Sequence, residues 1–254
     1  MPRQENCPGA ATTSAASSGA YVNKATKSGP TAPGQQARDA ELTRLLNSDR
    51  IATYLRACHG NQDEALRLYA WNIEVASAFW GSFNVLEVAL CNVIHSELST
   101  LAGQEEWWNA QIGLHQFEQH RVTDAITAAR RAKGSAVVTG HVVAELSLGF
   151  WTGLLANRYH QRLWVPALHA AFPHLVGPRR ELHRKQESLR KLRNRIAHHE
   201  PIFARNLTAD HDRLLDILGA VSPLAVDWVK QNSRVPQTIS QRNNVVTGTQ
   251  RTTF

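Results

Sequence analysis

An all-α fold is what this sequence predicts, on three observations. Apolar residues between about 40 and 232 recur at three- and four-residue spacing; no segment sustains strand alternation flanked by hairpin turns; and 254 residues with 43% hydrophobic content can bury one full core. A single helical domain over 39–232, flanked by two tails, follows.

A first helix is expected over 40–57, with Leu42, Leu45, Leu46, Ile51, Tyr54 and Leu55 on its apolar side and Gly60 closing it. Asn61 then caps a second helix with Glu64 three positions on, a capping-box arrangement with Asn in place of Ser or Thr. That helix is long, running through Leu66, Trp71, Ile73, Phe79, Val85, Leu86, Leu90 and Ile94 to about Leu101, with a bend expected at Gly81. Apolar residues on several of its faces mark it as central and buried. Trp107 and Trp108 follow in a link, expected to pack a loop on the core, with base stacking as the lesser alternative. Further helices are expected over 116–132 and 138–156, the latter carrying Leu146, Phe150, Trp151, Leu154 and Leu155, with Gly149 permitting close helix contact. Pro166, Pro173 and Pro178 punctuate the next stretch. An arginine-rich helix starts near Pro178-Arg179, where proline suits a first turn. Helices over 208–221 and 223–231 complete the domain.

The tails read differently. Residues 1–38 are rich in Ala, Ser, Thr, Gly and Pro and cannot repay the entropy of ordering, so a disordered arm is expected; residues 233–254, with Gln, Asn, Thr, Arg and no periodicity, are expected to behave alike. Cys7, Cys58 and Cys91 lack metal-ligand spacing and cannot all pair, which fits a reducing compartment. The expected location is the cytoplasm: no apolar segment reads as long enough to span a bilayer and the N-terminus lacks a signal-peptide core, so no membrane association is expected.

Formal charge is +7, and it is concentrated. Nine Lys/Arg between 178 and 205 face only Glu181, Glu187 and Glu200, which points to a polyanionic partner. Within that stretch Arg184, Lys185, Arg190, Lys191 and Arg195 are candidate RNA-binding residues; a solvated helix face is the plain alternative for any charge run. The same stretch ends in Leu192-Arg193-Asn194-Arg195-Ile196-Ala197-His198-His199-Glu200-Pro201. A guanidinium can clamp a phosphate and an imidazole can move protons near neutral pH, a minimal kit for phosphodiester chemistry.

Leu182, Leu189 and Ile196 repeat every seven residues, with Leu192, as one buried stripe. Arg193 sits at its edge. Asn194 and His198 share a face, whereas Arg193 and His198 differ by about 140° on an ideal helix. Two solutions stand open: the helix unwinds near His198, encouraged by Pro201, or two copies converge across an interface.

The motif string resembles the signature of the Abi-like (abortive infection) family, a bacterial branch of the HEPN superfamily. Phe83-Asn84-Val85-Leu86-Glu87-Val88-Ala89-Leu90-Cys91-Asn92-Val93-Ile94-His95, Val143-Ala144-Glu145-Leu146-Ser147-Leu148-Gly149-Phe150-Trp151 and Leu163-Trp164 are similar to other stretches of that family, so the resemblance spans about 40–232. Cys91 departs from it, standing where a basic residue is expected. The resemblance implies a HEPN-like bundle, a homodimer with paired motifs in a cleft, ribonuclease activity in phage defence or as a toxin, and an antitoxin or non-coding RNA as a further candidate partner.

Within that frame His198 is the candidate acid/base, with helix capping as its plain alternative, and Arg193 the phosphate clamp. Asn194 would orient backbone or substrate. Glu87, in an otherwise apolar helix, should be partly buried and need a basic partner, for which Arg193 is the choice. Asn92, His199 and Glu200 are supporting candidates. No metal or cofactor is expected: His198, His199 and Glu200 are consecutive and diverge, and no phosphate loop, nucleophile elbow or dinucleotide fingerprint is present. A noncatalytic RNA-binding module is the leading alternative; a helix-turn-helix DNA regulator fits less well because the basic helix merges with a buried stripe.

Overall fold

One helix organises the chain. In the computed structural model, which describes residues 40–254, Gln62–Ala102 forms a single 41-residue helix, here α2, about 60 Å long at 1.5 Å per residue. Asn61 caps its start, accepting the Glu64 amide at 3.2 Å. Gly103, in the left-handed region, closes its end. The helix passes through Gly81 without interruption. The arm expected over 1–38, together with Cys7, lies outside the described residues.

α1 (Ser48–Ala57) precedes this helix. The single helix expected over 40–57 is divided: residues 40–45 are helical, then Asn47 takes φ 70° and its side chain accepts the Asp49 amide, starting α1 afresh. Asparagine tolerates the left-handed region and caps well, so one residue performs both the break and the restart. After α2 come a short 3₁₀ turn at Trp107–Asn109 and α3 (Gln116–Lys133). Trp107 is fully buried among Trp108, Phe150 and Trp151, the packing role expected for the link.

The helix expected over 138–156 is two: α4 (Thr139–Glu145) and α5 (Leu148–Leu154). Leu146 and Ser147 are extended between them. The Ser147 hydroxyl accepts Arg121 at 2.6 Å and the Leu146 carbonyl accepts the Trp151 indole at 3.1 Å, so tertiary partners hold the break open. A β-carbon on Gly149 would lie 3.4 Å from Arg190, so the glycine does sit against the arginine-rich helix. A 3₁₀ turn at Asn157–Tyr159 leads into a π-helical stretch, His160–Leu168, in which the His169 amide reaches back five residues to Trp164.

α6 (Arg179–Ala197) buries Leu182, Leu189, Leu192 and Ile196, the anticipated stripe, together with Gln186. α7 (Leu207–Val221) and α8 (Pro223–Asn232) follow. The described residues contain helices and no strand, an all-α fold.

Two further expectations fail. Residues 233–254 are not a structureless tail: α9 (Val235–Ser240) and α10 (Arg242–Thr247) pack on α2, burying Val235, Thr238 and Val245. The Trp71 indole donates to the Thr238 carbonyl at 2.8 Å, Arg67 donates to the Val246 carbonyl at 2.7 Å, and Arg242 lies over the Trp71 ring. A few valines and these backbone partners anchor a segment whose composition reads as polar; the domain therefore runs past 232. α2, moreover, does have the length and apolar composition of a bilayer span. Here that composition accompanies burial on several faces, since α1, α6, α7, α9 and α10 all contact it.

Candidate functional site

The C-terminal end of α6 has a closed local geometry. The His199 amide donates to the Ile196 carbonyl at 3.0 Å and the Glu200 amide to the Arg195 carbonyl at 2.8 Å, the paired bonds of a Schellman closure. His199 takes φ 55°. His198 becomes the last, non-helical residue, its amide held by the Asn194 carbonyl at 2.9 Å and its side chain exposed. The helix does end at His198, the unwinding that Pro201 suggested, but within one chain this does not bring His198 into the cleft that Arg193 lines. Arg50, from α1, donates to the His199 carbonyl and ties this turn to the start of the fold.

Arg193 stands one helical turn earlier. Its Nε donates to Glu87 Oε1 at 2.8 Å and its Nη2 to Oε2 at 3.5 Å, so the expected pairing is present, with both side chains half-buried. The guanidinium also lies 5.3 Å above the ring of Trp80, itself exposed. Trp80 and Glu87 are seven residues apart on α2 and so share a face; that spacing was the signal for a residue sequence reasoning missed. Arg50 had no such signal, being joined to His199 only through the fold.

Two clefts meet at Trp80. One, of about 330 Å³, is lined by Glu87, Arg193 and Val88 with the end of α4 and start of α5. The other, of about 540 Å³, is lined by Tyr69, Ile73, Ala76 and Ile196, with His199 and Glu200 on its wall. His198 lines neither. A single chain therefore does not direct Arg193 and His198 into one cavity. Asn194 is half-buried and makes no side-chain hydrogen bond among the described residues. Asn92 is exposed on α2, where its carbonyl oxygen meets the Cys91 thiol at 3.6 Å, and it supports neither Arg193 nor Glu87. Burial pushes the Cys91 thiol up, against the reactive thiolate form.

The basic stretch is more nearly balanced in space than along the chain. Lys185 pairs with Asp216 at 2.7 Å, Arg190 with Glu187 at 2.8 Å, and Arg195 with Glu200 at 3.4 Å; Arg205 pairs with the buried Asp210 at 2.8 Å. The Arg190 contact holds the Glu187 carboxyl below its ordinary range. Arg179 is turned inward to the Leu155 carbonyl and Asn157. Arg184 and Lys191 are exposed and carry no ion pair among the described residues, as does Arg180 on the same face. Of the five candidate RNA-binding residues, these two present uncommitted charge.

Among the described residues no three His, Cys, Asp or Glu side chains are grouped to hold a metal ion. What the arrangement can offer is a preoriented guanidinium at a cleft rim, three exposed cations along the same helix without an ion pair among the described residues, and an exposed imidazole at its end. Comparison with known protein families, curated proteins and solved structures finds no match.

Proposed function

We propose that this chain is an endoribonuclease of the Abi-like HEPN type, metal-independent and active as a homodimer in the cytoplasm, serving phage defence or acting as a toxin. The observation that supports it is Arg193: a guanidinium fixed by Glu87 and stacked on Trp80 at the mouth of an open cleft, five residues before an exposed histidine. In the reaction, the ribose 2′-oxygen attacks the adjacent phosphorus as its proton passes to His198. The 2′-O–P bond forms and the P–O5′ bond breaks, with a proton delivered to the leaving 5′-oxygen. The products are a 2′,3′-cyclic phosphate and a 5′-hydroxyl. Arg193 offsets the charge on the nonbridging oxygens. DNA lacks the attacking hydroxyl and resists.

The dimer enters this reading because one chain leaves His198 outside the cleft that holds Arg193. A second copy across a two-fold axis supplies the missing group. That same separation favours a second reading, a noncatalytic RNA-binding module using Arg184, Lys191 and Arg193.

The two are separated by purified protein incubated with labelled total RNA in excess chelator. Cleavage that disappears in His198→Ala while RNA binding persists supports the enzyme. Binding without cleavage in the unsubstituted protein supports the module.

A further inference from the structure

The cleft of about 540 Å³ between α2 and the end of α6 is absorbed by nothing in the mechanism above. Its walls are apolar and aromatic at Tyr69, Ile73, Ala76, Trp80 and Ile196 and polar at Asn72, Ser77 and His199, and its one carboxylate is Glu200, an exposed group whose Oε2 meets Arg195 at 3.4 Å and whose Oε1 has no partner among the described residues. A cavity with apolar walls and few polar groups has the makeup of a small-ligand site. Its position says which ligand. Trp80 lines both this cleft and the one that holds Arg193, so a phosphate on Arg193 leaves its neighbouring nucleoside at the doorway of the aromatic cavity.

We propose that this cavity is a nucleobase subsite that takes one unstacked base of a single-stranded RNA and prefers guanine; the assignment rests on the ribonuclease reading for its substrate class. Single-stranded RNA is read by splaying bases onto aromatic side chains and bonding their edges, and the Trp80 and Tyr69 rings supply such surfaces. Guanine alone among the four bases presents two adjacent N–H donors on its pairing edge. A carboxylate has two acceptor oxygens and no donor, so Glu200 matches guanine and fails to match the acceptor that adenine, cytosine or uracil places beside its donor. The wall is held in place. Arg50 fixes the His199 carbonyl, the Schellman bonds fix the backbone at Glu200, and Asn72 accepts the Ile202 and Phe203 amides at 2.8 and 3.1 Å just beyond.

The test uses the full chain carrying His198→Ala, which leaves bound RNA uncut. It is titrated with oligouridylates bearing one central guanine, adenine or abasic residue. The guanine oligomer should bind on the order of tenfold more tightly than the abasic one. Ala76→Phe, which fills the cavity, should erase that difference, and Glu200→Gln, a surface change that spares folding, should erase the preference for guanine over adenine. Equal affinity for guanine and abasic oligomers overturns the subsite; an unchanged guanine preference in Glu200→Gln overturns its specificity.

Should no RNA bind at all, the ribonuclease reading fails and the cavity is judged on its own, by guanosine monophosphate quenching of tryptophan fluorescence. Saturable quenching that Trp80→Phe diminishes upholds the subsite. Its absence overturns the subsite too.

Discussion

Arg193 and Glu87 form a half-buried ion pair, 2.8 Å from Nε to Oε1, with side chains 29% and 27% exposed. They come from different helices, 106 residues apart, and the stack on Trp80 leaves the guanidinium with a defined plane. Removing the carboxylate leaves the charge of Arg193 in place but frees its orientation. Glu87→Gln should therefore retain the helical fold and lower RNA cleavage by about tenfold, since small misplacement of a clamping group is costly. Arg193→Ala should abolish cleavage, and Arg193→Lys should recover little because an ammonium has no planar fork. Single-turnover rates with circular dichroism as the folding control decide it; full activity in Glu87→Gln would refute the positioning role.

The division of the basic helix into paired and free cations predicts unequal salt effects. Each phosphate contact released should lower the slope of log affinity against log salt by about one. Arg184→Ala and Lys191→Ala should each do so, whereas Lys185→Ala, which removes a partner of Asp216, should change it little. Binding isotherms at several salt concentrations provide the measurement, and equal slopes for all three variants would contradict the assignment of free charge.

The docked C-terminus makes a stability prediction. Val245 is 2% exposed and packed on α2 through α10, so Val245→Ala should cost about 1–2 kcal/mol, in the range for trimming a buried aliphatic side chain. Ending the chain after Asn232 should cost more, because it also uncovers Trp71 and its indole donor. Urea unfolding gives both values, and a truncated chain as stable as the full one would show that α9 and α10 do not contribute.

Acidification from neutral pH should destabilise the fold through buried and half-buried histidines. Burial pushes the imidazoles of His95, His183 and His211 below their ordinary range. As pH falls through about 6.5 the unfolded chain takes up protons at these positions more readily than the folded chain, so stability is full above that value and declines below it. His211, buried beside Phe79, should contribute to this slope; His211→Asn should flatten it between pH 7.5 and 5 in urea titrations. An unchanged slope would remove His211 from the account.

A composite active site predicts activity that follows dimerisation. Light scattering beside single-turnover cleavage across a dilution series should show the rate per chain falling as dimers dissociate. Undiminished activity in a monomer would exclude the second copy.

The sequence alone determined what depends on local periodicity. The apolar stripe of α6, the cap at Asn61, and the requirement that Glu87 have a basic partner all follow from residue spacing or from one conspicuous charge among apolar neighbours, and chain order carries that information. Charge balance is different. Asp216 neutralises Lys185 from 31 residues away, so a count along the helix could not foresee it. The break at Leu146–Ser147 depends on Arg121, and the order of 233–254 depends on Trp71 and Arg67, partners that only folding brings near. The Trp80 junction between two clefts is likewise a product of α2 and α6 crossing. Local backbone preferences act over a few residues, whereas ion pairs and cavities are set by distances in space.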